Sequence, residues 1–72
     1  MDVRETIAEI ARRVQKNPET IGVLSTGEAC AAALLLNRLD LLSDAYKHPL
    51  DALDRLGSKW EAAVRDLHQN GW

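Results

Sequence analysis

The sequence predicts an all-α domain, a compact bundle of four to five short helices around a central apolar helix, on three observations. From Ala29 to Leu36 eight apolar residues run without a break. An amphipathic surface helix is apolar only near i, i+3, i+4 and i+7, so a segment apolar all round belongs in an interior. Just upstream, Ser25 and Glu28 have the spacing of a helix-start capping box. Along the chain there is no alternation of apolar and polar residues of the kind a half-buried strand requires.

Taken in order, the first helix is predicted from about Asp2 to Lys16. Asp2 and Glu5 stand at capping-box spacing, with the Asp2 carboxylate placed for the free amides of the first turn. Val3, Ile7, Ile10 and Val14 make a narrow apolar seam, widened by Ala11, and Glu9 faces Arg13 at i,i+4 on the polar side. Asn17-Pro18 ends this helix, because the residue before a proline is pushed out of the helical region. Pro18, with Glu19 and Thr20, then opens a short extra turn reaching Gly22.

The central helix is predicted to start at Ser25 or Thr26, with Val23 and Leu24 stapling its entry hydrophobically. Its end has two readings. Either Asn37 closes it in a left-handed conformation and Asp40 opens a short helix through Asp44, or Leu39, Leu41 and Leu42 carry one helix on to about Ala45. The Asn37-Arg38 pair favours the break. Tyr46-Lys47-His48-Pro49 is a linker, with His48 as N-cap and Pro49 as first residue of a helix to Leu56 that Gly57 stops. Ser58 and Glu61 form a third capping box, opening a helix to about Gln69 that buries Trp60, Ala63, Val64 and Leu67 and pairs Glu61 with Arg65. Asn70-Gly71-Trp72 reads as a Schellman close that sets Trp72 against Leu67. The core predicted from these elements is Ile7, Ile10, Val14, Leu34, Leu35, Leu39, Leu42, Leu53, Leu56, Trp60, Val64 and Leu67.

Composition bounds the function. Seventy-two residues, 46% of them hydrophobic, suit a single helical domain over 1–72, near the lower limit for a self-supporting core. One cysteine permits no internal disulfide, and with two histidines it falls short of a four-ligand structural zinc site. Nine basic residues stand interspersed among eleven acidic ones, with no polybasic run, which argues against nucleic-acid or anionic-membrane binding. No run approaches the length of a membrane span, and the charged Met-Asp-Val-Arg-Glu start lacks the apolar stretch of a signal peptide. A lone cysteine within an apolar run suits a reducing cytosol, so a cytoplasmic protein is expected.

No catalytic set emerges. Cys30 lies mid-helix among alanines and leucines, where a thiol behaves as a small hydrophobe. His48 reads as a cap, and His68 sits favourably against a helix C-terminal dipole. Asp40, Asp44, Asp51 and Asp54 lack calcium-loop spacing and read as a solvated face, with Asp51 able to pair with Arg55. The glycines show no phosphate-cradling pattern. The chain is therefore expected not to be an enzyme and to carry no metal, cofactor or small-molecule substrate. Two functional readings follow. One is a protein–protein interaction module, self-associating as a homodimer or docking on a partner, with Val3, Ile7, Ile10 and Val14 as the candidate contact. The alternative is a DNA-binding helix-turn-helix over residues 49–69, disfavoured because its second helix has no net positive charge for phosphates and its first adds Asp51 and Asp54.

Overall fold

Short-range rules start and stop most of the helices. The computed structural model describes residues 2–42 and 44–72. They form a mostly helical structure of α1 (Val3–Lys16), α2 (Thr26–Leu35) and α3 (Pro49–Asn70), joined by 3-10 turns at Pro18–Val23, Leu39–Leu41 and Asp44–Tyr46, with no strand among the described residues. Gly57 breaks α3 into segments 49–56 and 58–70.

Four of the predicted signals operate as read. Asn17 ends α1 in an extended conformation, and its side chain accepts from the Glu19 N–H at the start of the following turn. At α2 the capping box is complete, Ser25 N–H donating to Glu28 Oε1 at 2.9 Å and Glu28 N–H to Ser25 Oγ at 3.3 Å. Asn37, at φ 56°, closes α2: Asn37 N–H donates to the Leu34 carbonyl and Arg38 N–H to that of Ala33, the paired bonds of a Schellman motif. His48 Nδ1 accepts from the Leu50 N–H at 3.1 Å, with Pro49 in the first helical position.

Elsewhere the expected local arrangement does not form. Asp2 occupies the N-cap of α1 but makes no side-chain cap, because its carboxylate turns to Arg4 at 3.1 Å. Ser58 and Glu61 do not form the expected capping box although Gly57 breaks the helix just before them, while the expected pairing of Glu61 with Arg65 is present at 3.3 Å. Gly71 departs from a Schellman close: at φ 90°, ψ 162° its N–H donates to the Leu67 carbonyl at 2.8 Å, and Trp72 still packs against the cluster holding Leu67. The short helix expected from Asp40 to Asp44 passes through Ser43, which lies outside the described residues; on either side are separate 3-10 turns. Arg38 grips Asp40, within the first of these turns, with two hydrogen bonds of 2.9 and 2.8 Å. The expected Arg55–Asp51 pair is not among the ion pairs of the described residues; Arg55 lies beside the first turn of α2, its Nη1 3.9 Å from where a Cβ on Gly27 would stand.

The core forms three clusters, and α2 contributes to each. Ile7, Ala8 and Ala11 of α1 meet Ala31 and Leu35 of α2 and Ala63, Val64 and Leu67 of α3. Cys30 and Ala33 pack with Leu42 and Ala52, and Ala32 packs with Ile10 and Val14. The core is smaller in side-chain volume than predicted: Leu34, Leu53, Leu56 and Trp60 are half-buried, while Leu39 is exposed on its turn. Leu24 packs against the cluster of Ile10, Val14 and Ala32, but Val23 points into solvent at 85% exposure.

Even so, the chain covers itself well. Its accessible surface is 4659 Å², against about 4,450 Å² expected of a folded monomer of this mass. No helix among the described residues is long and apolar enough to cross a membrane.

Candidate functional site

The seam proposed as a contact is part of the core. Ile7, Ile10 and Val14 are buried, and Val3 is half-buried against the cluster formed by α1, α2 and α3. Their spacings of four, three and four residues put them on one face of α1, which the two other helices cover.

The candidates for chemistry stay apart. Cys30 is buried in the second cluster, and burial pushes its thiol pKa up, partly offset by the positive charge of Arg55. A protonated, covered thiol is a poor nucleophile. His48 is engaged as a cap and His68 is exposed in the last turn of α3. Among the described residues no three His, Cys, Asp or Glu side chains gather as a metal site, and no buried side-chain polar atom lacks a hydrogen-bond partner.

The DNA-binding outline has its two helical segments and its glycine, but a single residue joins them. On the second segment Arg65 is tied to Glu61 at 3.3 Å, and Asp66 to Arg4 at 2.8 Å. Neither tie adds free positive charge for a phosphate backbone.

Where α1 meets the end of α3 lies an open groove of about 640 Å³. It arises from spacing. Arg4, Ala8 and Arg12 recur every four residues and so line one face of α1, with Glu5 and Glu9 beside them. Opposite stand Asp66, Leu67 and Asn70, and Trp72 forms the end wall. The small Ala8 leaves the floor low, and Leu67 completes it.

Two arginines hold the groove together. Arg4 bridges the helices, its Nε donating to Asp2 at 3.1 Å and its Nη1 to Asp66 at 2.8 Å. Asn70 Nδ2 donates to the other oxygen of Asp66 at 2.6 Å. Arg12 Nη2 donates to the main-chain oxygen of Trp72 and so fixes the indole wall to α1. The two links between the helices were not visible along the sequence, because Arg4 and Asp66, like Arg12 and Trp72, are about sixty positions apart.

The Arg4 guanidinium holds the carboxyls of Asp2 and Asp66 below the usual range. A depressed native pKa contributes stability above the unfolded value, about 3.9, and that contribution is lost as pH falls through the native value. Thermal melts at descending acid pH are therefore expected to show a loss that Asp66→Asn reduces and added salt weakens. An unchanged acid limb in Asp66→Asn would mean that the bridge does not tie α1 to α3. No family model, no curated protein and no solved structure matches this chain.

Proposed function

We propose that this chain is a helical protein-interaction module of the cytosol, organised about α2, whose partner docks in the groove between α1 and the end of α3. The observation that carries this reading is Trp72. A half-buried tryptophan anchored by its own backbone, beside an apolar floor and a charged rim, is the kind of residue that dominates binding energy at interfaces. The open shape of the groove suits an extended segment of another protein better than an enclosed small molecule. A buried lone thiol is at home in a reducing compartment.

The surface area favours a foreign partner over a second copy. A homodimer was expected in order to supply missing burial, and 4659 Å² is already close to the area of an ordinary monomer. Sedimentation equilibrium is expected to give a mass near 8.0 kDa throughout a micromolar dilution series; a dimer persisting on dilution would restore self-association.

The docking site itself is tested by panning a random displayed-peptide library over the immobilised chain and re-testing enriched sequences on Trp72→Ala. Trp72 packs on the edge of one cluster without being one of its fully buried members, so an unchanged circular-dichroism melt of the variant is the control that the core stays in place. Enriched sequences should lose binding to this variant. Sequences that bind it equally well would put the docking site elsewhere.

A further inference from the structure

Resting on that docking reading, we infer that the groove accepts a basic segment of the partner and seats a lysine or arginine side chain against Trp72. Charge complementarity carries the inference. The lining holds the carboxylates of Asp2, Glu5, Glu9 and Asp66 but only the cations Arg4 and Arg12. Both cations are engaged: Arg4 binds Asp2 and Asp66, and Arg12 donates to the Trp72 main-chain oxygen. Glu9, on the lining beside Glu5, pairs with Arg13 at 2.8 Å. Glu5 has no ion-pair partner among the described residues.

An anionic occupant would face this carboxylate excess and would have to draw Arg4 off two existing partners. A cationic side chain meets no such conflict. Its charged end reaches Glu5, its methylene stem lies on Ala8 and Leu67, and the indole of Trp72 offers a face to the cation.

The test uses nitrogen-15 spectra of the whole chain titrated with three capped pentapeptides: a glycine backbone carrying one lysine and one arginine, the same with two glutamates, and the same with two leucines. The basic peptide is expected to shift the Trp72 indole N–H and the amides of Glu5, Glu9 and Asn70 in a saturable way. Glu5→Gln should weaken it about two- to fivefold, the range of a surface ion pair, and Trp72→Ala should abolish the shifts at the groove. The glutamate peptide should leave those signals in place. Groove shifts with the leucine or glutamate peptide but not the basic one would overturn the charge assignment while leaving the docking site standing. Basic-peptide shifts spread over Glu19, Asp51 and Asp54, or unaffected by Glu5→Gln, would reduce the effect to general attraction and overturn the inference. The absence of any shift with the basic peptide would also overturn it, and the library panning would then decide the docking reading separately.

Discussion

Ile7→Ala is expected to cost about 2–5 kcal/mol, the range for truncating a buried isoleucine. Ile7 is fully buried where α1, α2 and α3 meet, against Ala31, Leu35, Ala63, Val64 and Leu67. Those neighbours are short or already engaged, so the cavity cannot be refilled from either helix. A chain of this size has a total stability of about 4–11 kcal/mol, and the substitution removes a large part of it. Urea unfolding followed by circular dichroism measures the loss as a lower midpoint at unchanged slope. Val23→Ala, at a site 85% exposed, is the control and should stay within about 0.5 kcal/mol. A loss below about 1 kcal/mol at Ile7 would mean that the three-helix junction is loosely packed.

Replacing Gly57 by L-alanine should cost about 1–3 kcal/mol through the backbone alone. Its φ of 79° with ψ 164° is a region that side chains of L-residues avoid, and nothing within 4 Å of an added Cβ would clash. The strain is therefore separable from crowding. Chemical synthesis with D-alanine at position 57 should restore or exceed the parent stability, since the mirror residue accepts positive φ. Equal losses with both enantiomers would point to crowding or to a changed helix path. Loss of the break would also let 49–70 run as one straight helix, which would pull Ala52 away from Cys30 and Ala33.

How much of this was legible follows from the range of each signal. Ser25 with Glu28, Asn37, and His48 with Pro49 act within three or four residues of themselves, so the sequence carries them in full. Asp2 has the right spacing for a cap, yet Arg4 captures its carboxylate while also reaching Asp66. Leu39 and Val23 look like core by hydropathy but sit on turns whose geometry faces them outward. Alanine was underweighted: Ala8, Ala11, Ala31, Ala32, Ala33, Ala52 and Ala63 are all buried, and their small size lets the helices approach closely. That substitution of proximity for bulk is how so short a chain hides its apolar residues without phenylalanine. The groove was least legible, since it depends on residues near 4 and 12 meeting residues near 66 and 72. The sequence marked Trp72 as packing on Leu67, but not the arginines that hold it there.

The position of Cys30 gives the protein a built-in clock. Its thiol is nearly covered on α2 and burial raises its pKa, so an alkylating reagent reacts freely with it only when the segments packed on it part. When reclosing outpaces labelling, the alkylation rate divided by that of an unstructured thiol peptide is the equilibrium constant for opening. A lone cysteine in the interior thus lets the breathing of α2 away from Leu42 and Ala52 be timed in the unmodified chain, with no probe added.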